Sequence, residues 1–188
     1  MVGISGSSCS GKSTVAKAVR VLLGGDVTHL QQDLFFIDPD FCPADGNFCD
    51  PRYLHQADFE NAVRSLAAGE PTVVPELDFT TFRRTGAVRV RPAAFLIVEG
   101  MTIFRSPVVY ECCHHRFLLT PPFETLAARK RDRDVRERGK SPSIVEVQLS
   151  WMLMEYERDL HFGWAVTTID SVDSAEVAHV ILDTLRAG

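Results

Sequence analysis

Short apolar runs alternate along the chain with stretches whose apolar residues return every three or four positions. Residues 1–5, 27–31, 95–99, 116–120 and 165–169 read as nearly continuous apolar runs, as expected of parallel strands covered on both faces. Val15, Ala18, Val19 and Leu22 fall at i, i+3, i+4 and i+7, one face of a helix. Phe59, Ala62, Val63 and Leu66 repeat the spacing, with Asp58 placed to cap that helix. Ala178, Ile181, Leu182 and Leu185 do so again, behind an Asp173…Glu176 pair that resembles a capping box. A longer helix is predicted over 144–160, with one apolar stripe of Ile144, Val147, Trp151 and Met154 and another of Val145, Leu149, Met152 and Tyr156. This alternation predicts an α/β fold, a doubly wound parallel sheet of about five strands with helices on both faces.

Two segments interrupt the alternation. Residues 38–51, rich in Pro, Asp, Gly and Asn, predict a long loop, of a length that is usually functional or disordered. Residues 72–91 hold two short β-rich pieces around Phe82-Arg83-Arg84-Thr85-Gly86 and predict a β-hairpin. The chain of 188 residues carries a net charge of −5, which argues against a nucleic-acid binder. No apolar run approaches the ~18 residues of a membrane span, and no secretory pattern precedes Val2-Gly3-Ile4. Five cysteines, an odd number, point to reduced thiols. A single cytoplasmic domain over 1–188 is the expectation, its oligomeric state left open, a homo-oligomer included.

Gly6-Ser7-Ser8-Cys9-Ser10-Gly11-Lys12-Ser13-Thr14 contains the spacing G-x-x-x-x-G-K-[ST] between a predicted strand and a predicted helix. Glycines permit a loop whose backbone N–H groups wrap phosphates, and the helix N-terminus adds a favourable dipole. Lys12 supplies a point charge to the β/γ-phosphates and Ser13 a hydroxyl for Mg²⁺. A nucleotide-phosphate site follows. No guanine-reading Asn-Lys-x-Asp segment is present, which sets GTPases aside.

A small kinase needs a carboxylate near the acceptor hydroxyl, a second carboxylate beside Mg²⁺ and arginines over the transferring phosphoryl group. Asp33 lies just past the second predicted strand, where ligands collect in open parallel sheets. Glu99 ends the most apolar strand, so Ser13, Asp33 and Glu99 are the candidate metal-side residues. Arg129-Lys130-Arg131-Asp132-Arg133-Asp134 continues a helix beyond its apolar residues Phe123, Leu126 and Ala127. That pattern predicts a lid over 123–141, with Arg133 and Arg138 as its working cations. Cys112-Cys113-His114-His115 lacks zinc-like spacing.

Several ordered motifs add to the phosphate loop. They are Gln32-Asp33-Leu34-Phe35-Phe36, Asn47-Phe48-Cys49-Asp50-Pro51, and Val74-Pro75-Glu76-Leu77-Asp78-Phe79 with Phe82 and Arg84 following. Val98-Glu99-Gly100-Met101, Arg133-Asp134-Val135-Arg136-Glu137-Arg138-Gly139-Lys140 and Gln148 complete the set. Together they resemble the uridine kinase family of P-loop nucleoside kinases, with nicotinamide riboside kinases as close relatives. The resemblance covers Val2 to about Gln148 and implies ATP and Mg²⁺ as cofactors and a small-molecule hydroxyl as acceptor, typically the 5′-hydroxyl of a nucleoside. It makes Asp33 the implied general base and Gln148 a substrate-side residue. Leu77 and Phe82 occupy positions where the family's Tyr and His hold the pyrimidine base. Cys49, followed by Asp50, occupies the position of a ribose-diol Asp. Pyrimidine specificity is therefore not implied; a nicotinamide riboside kinase-like enzyme and a regulatory protein without turnover stay open beside it.

Overall fold

A computed structural model of the chain describes residues 1–42 and 47–187. Its central sheet contains β1 (Val2–Gly6), β2 (Val27–Gln31), β5 (Phe95–Gly100), β6 (His115–Leu119) and β7 (Thr167–Ile169). All pairs are parallel, in the order β2-β5-β1-β6-β7. The strands fall within one residue of the predicted runs, except β7, which starts two residues late at Thr167.

Helices α1 (Lys12–Leu23) and α6 (Ser174–Ala187) cover one face of the sheet, where Val15, Ala16, Val19, Ala178 and Ile181 pack on Ile4, Ile97 and Phe117. Ala16 replaces Leu22 on the working face of α1, because Leu22 points largely into solvent. Helices α2 (Gln56–Ala67) and α3 (Pro107–Cys112) cover the other face, and Phe59, Ala62, Val63 and Leu66 are all buried there. Asp58 does not cap α2: the helix starts at Gln56 with His55 at its N-cap, so Asp58 falls inside the first turn. Asp173 does cap α6, its Oδ1 accepting from Ala175 N at 2.8 Å. Glu176 turns instead to the hydroxyl of Ser171.

The hairpin pairs β3 (Thr72–Asp78) with β4 (Arg83–Val90) as a separate antiparallel sheet. Val74 seats it on the α2 side of the core. Helix α4 (Phe123–Asp132), in the segment expected as a lid, runs into a π-turn, Arg133–Glu137, and then into α5 (Pro142–His161). Of the two stripes of α5, Val145, Leu149 and Met152 pack against Leu126 and Ala127 of α4. Ile144, Val147 and Met154 remain exposed. Among the described residues no helix is long and apolar enough to cross a membrane.

Register fixes what meets at the carboxyl edge of the sheet. Ile4 and Gln31 both stand opposite Glu99, and Ser5 stands opposite Gly100. The loop after β1, the turn after β2 and the end of β5 therefore open onto one cleft.

Candidate active site

The loop from Gly6 to Lys12 is shaped by two glycines. Gly6 has φ +152°, and a Cβ there would come within 2.6 Å of the Leu119 carbonyl oxygen. Gly11, at φ +92°, is the N-cap of α1. Both positions suit a residue without a side chain. Cys9 adopts φ 66°, the left-handed region, at the crest of the loop. Ser10 N donates to Ser7 O at 3.1 Å, closing the turn. Lys12 is only 7% exposed, and its Nζ donates to Ser7 O at 3.0 Å, folding back over the loop it belongs to.

Glu99 lies beneath the loop. Its Oε1 accepts from Ser13 Oγ at 2.7 Å and from Gln31 Nε2 at 2.8 Å, with His29 Nε2 at 3.7 Å. Burial opposes its charge, but His29, Lys12, Gln31 and Ser13 outweigh burial and hold the carboxyl at about 2. Glu99 is thus an anion at any physiological pH, side by side with a hydroxyl.

Asp33 sits on the 3-10 turn Gln32–Phe35, directly after β2. Among the described residues its carboxylate has no hydrogen-bond or ion-pair partner. Burial raises its pKa above the ordinary Asp value, and nearby Glu99 adds to that rise; Lys12, Arg138 and Arg133 pull the other way. A carboxyl raised by burial, free of partners and open to a cleft has the properties of a general base.

Two cavities flank Asp33. One, of about 520 Å³, is lined by Cys9, Gly11, Lys12, Ser13, Thr14 and Arg129, among others. The second, of about 290 Å³, has an aromatic wall of Phe36, Phe48, Tyr53, Phe79 and Phe82. Lys130, Arg138, Lys140 and Gln148 line its other side. Ser8, Asp33, Met101 and Arg133 belong to both cavities, so the two meet at Asp33.

The hairpin tip closes the aromatic wall. Phe82 is held at φ 54°, a strained conformation for a bulky residue. Its ring packs edge-on against Phe36 at 5.9 Å and Phe79 at 6.5 Å, with the Arg138 guanidinium 5.8 Å above it. Arg83 pairs with Asp40 at 2.9 Å and Arg84 N donates to Asp38 Oδ1, tying the tip to the segment after β2.

The structure brings Lys12, Ser13, Asp33, Glu99, Phe82, Arg133, Arg138 and Gln148 to this one cleft. Three substrate-side candidates do not line this cleft. Cys49 is 4% exposed, its thiol pushed up to about 12 chiefly by burial. Asp50 turns away to cap the 3-10 turn Pro51–Tyr53 and pairs with Arg52 at 2.9 Å. Leu77 is buried behind the wall in a cluster with Phe36 and Tyr53, supporting the cavity rather than lining it. Gly6, Ser7 and Ser10 shape the phosphate loop from behind. Residues 43–46 of the predicted 38–51 loop lie outside the described residues. Sequence reasoning missed Lys130, Lys140 and most of the aromatic wall. The four-residue spacing of Lys130 and Asp134 on one helix face was the available signal for the first.

No family model matches the chain. It is 30% identical over 175 residues to a uridine kinase of Deinococcus deserti, spanning 89% of this chain and 82% of that protein. The chain belongs to the uridine kinase family of P-loop kinases. The kinase shares its fold with a possible uridine kinase from Bacillus stearothermophilus, at a TM-score of 0.60 and 16% identity over 90% of this chain and 87% of the other. A phosphoribulokinase from Rhodobacter spheroides matches at a TM-score of 0.60 and 12% identity, over 84% of this chain and 64% of the other. This kinase is accordingly a phosphotransferase with a hydroxyl acceptor, built on the parallel five-stranded P-loop fold.

Proposed function

We propose that this kinase transfers the γ-phosphoryl group of ATP to the primary hydroxyl of a small, nucleoside-like acceptor whose ring system is held by stacking. The observation that carries the reading is the junction: a phosphate-loop cavity and an aromatic-walled cavity share Asp33 and Arg133. Phosphoryl transfer asks the protein mainly for positioning and charge stabilisation. The loop N–H groups and Lys12 hold the donor phosphates, while Arg133 and Arg138 stand over the junction to neutralise charge as it spreads in the transition state. Asp33, ionised and unpartnered, takes the proton of the attacking hydroxyl.

Ser13, Glu99 and Asp33 form an all-oxygen donor set suited to Mg²⁺. The 2.7 Å approach of Ser13 Oγ to the permanently ionised Glu99 fits that use. Bound there, Mg²⁺ would neutralise phosphate charge.

The acceptor cavity sits at the small end of ligand sites, which suits one compact molecule. Its wall offers aromatic faces where the family's pyrimidine-reading His would stand, so stacking outweighs polar edge-reading. A coupled ADP-release assay with ATP and Mg²⁺, run across nucleosides, nicotinamide riboside and simple sugars, tests the reading. Acceptor-dependent ADP release, strongest on a compound carrying an aromatic or apolar ring, is expected. No acceptor-dependent release from folded protein would replace the reading with nucleotide binding alone.

A further inference from the structure

The lid gathers four cations around one carboxylate. Asp134, in the π-turn, is fully buried. Its Oδ1 lies 2.8 Å from Arg133 Nε and 3.4 Å from Arg138 Nη1. Its Oδ2 lies 2.7 Å from Lys130 Nζ and 3.1 Å from Lys140 Nζ. Its backbone carbonyl accepts from Lys140 N at 3.0 Å, locking the far end of the turn to the same residue. Burial works against the charge of Asp134, yet Lys130 and Arg133 outweigh it and hold the carboxyl well below the usual range.

Two of these cations also reach other residues of the cleft. Arg133 Nη2 donates to Ser8 Oγ in the phosphate loop at 3.3 Å. Lys140 Nζ donates to Gln148 Oε1 on the acceptor side at 3.1 Å. Arg133 and Arg138 both act electrostatically on Asp33, yet neither pairs with it. One anion is therefore shared by four cations beside a second carboxylate that is left free.

We propose that Asp134 is a positioning residue that sets the lid cations in place for the donor phosphates, keeps Arg133 and Arg138 off Asp33, and ties the two cavities together. The proposal rests on the phosphoryl-transfer reading above. Without Asp134 the four cations repel one another, and Asp33 becomes the carboxylate that two of them already face. An arginine seated on Asp33 would occupy the lone pair that must accept the hydroxyl proton. Asp134 thus orients the arginines and preserves the base.

Asp134→Asn keeps the side chain's shape and removes its charge. The expected result is a fall in kcat of roughly 10–100-fold, the cost of small misplacements at a reacting centre. Affinity for β,γ-imido-ATP with Mg²⁺, read by titration calorimetry, should not weaken and should depend more steeply on salt, since the site gains unpaired positive charge. A merely structural residue would lower turnover and nucleotide affinity together.

Because Asp134→Asn strands the buried Lys130, the double variant Lys130→Met with Asp134→Asn serves as a second test in which no buried charge is orphaned. The same split, a lower kcat with nucleotide affinity retained, is expected there. A kcat per folded enzyme within about threefold of wild type, or a nucleotide affinity that falls in step with kcat, would overturn the proposal. Should the wild-type protein show no acceptor-dependent turnover, the functional reading fails, and the positioning role is decided by nucleotide binding alone: a salt dependence in Asp134→Asn equal to that of wild type overturns it.

Discussion

The two cavities that meet at Asp33 are built in opposite ways. The phosphate side is centred on one continuous segment, from Gly6 to Thr14, in which backbone geometry and one lysine dominate, with Arg129, Asp132, Arg133 and Ser174 joining it from the α4 side and the start of α6. The acceptor side is assembled from the segment after β2, the Phe48–Tyr53 region, the hairpin tip, the lid and α5, with an aromatic wall on one part and cations on another. Binding by backbone is written in local spacing, whereas binding by side chains from distant segments is written only in the tertiary structure. Recognition of the donor is therefore a fixed property of the fold, and the acceptor is set by residues free to change without disturbing it.

The sharpest way to break this contrast is at the shared residue. Asp33→Asn should lower turnover by roughly 10²–10⁴, the range of general-base loss, while nucleotide affinity measured by calorimetry stays near wild type. A loss confined to nucleotide affinity would move Asp33 to the phosphate side alone.

On the phosphate side, Lys12→Ala should lower kcat by about 10²–10³, as for removal of one preorganised charge donor, with an acceptor preference that does not change. The lysine is buried rather than exposed, so Ser7 O loses a partner. A circular-dichroism melt alongside the kinetics separates lost catalysis from lost fold.

On the acceptor side, Phe82→His should change the preference and not the chemistry. Apolar walls discriminate by only about 10–200-fold, and kcat/KM for uridine relative to other acceptors should rise within that range. Leu77→Tyr should add little to it, because Leu77 packs behind the wall against Phe36 and Tyr53. A larger gain from Leu77→Tyr than from Phe82→His would reverse the assignment of wall and support.

The smallest effect is in stability. Asp33 has a folded-state pKa above its unfolded value, so its ionisation costs stability once the pH rises past the unfolded value. Activity runs the other way, since the base works ionised: kcat/KM should be lost as pH falls through the raised pKa. Asp33→Asn removes the ionisation cost and should raise Tm at neutral pH, read by a circular-dichroism melt. A lower Tm would show that the carboxylate is a structural anchor.

Much of the fold was legible because each element carries its own periodicity. The runs that became β1, β2, β5 and β6 and the faces of α2 and α6 needed no tertiary information. Leu22 and Asp58 were misplaced because a helix face and a cap depend on where a neighbour sits and where the first turn begins. In the site, Lys12, Ser13, Asp33 and Glu99 were legible from the strand ends that the sheet register aligns. Cys49 and Asp50 were not: the chain turns at Asp50 to form the Pro51–Tyr53 turn, which buries the thiol and sends the carboxylate to Arg52. Asp134 was visible as a letter in a charged run, but its four partners appear only when the π-turn folds them inward.

The central claim, that donor and acceptor meet at Asp33, has one direct measurement: a crystal structure of the protein with β,γ-imido-ATP, Mg²⁺ and the acceptor that gives the highest ADP release. The account predicts the imido-nucleotide phosphates in the Gly6–Thr14 loop and the acceptor ring against Phe82. Its hydroxyl oxygen should lie about 2.6–3.2 Å from the Asp33 carboxylate, within reach of the proton it gives up. An acceptor bound with its hydroxyl away from Asp33, or bound outside the aromatic cavity, would contradict it.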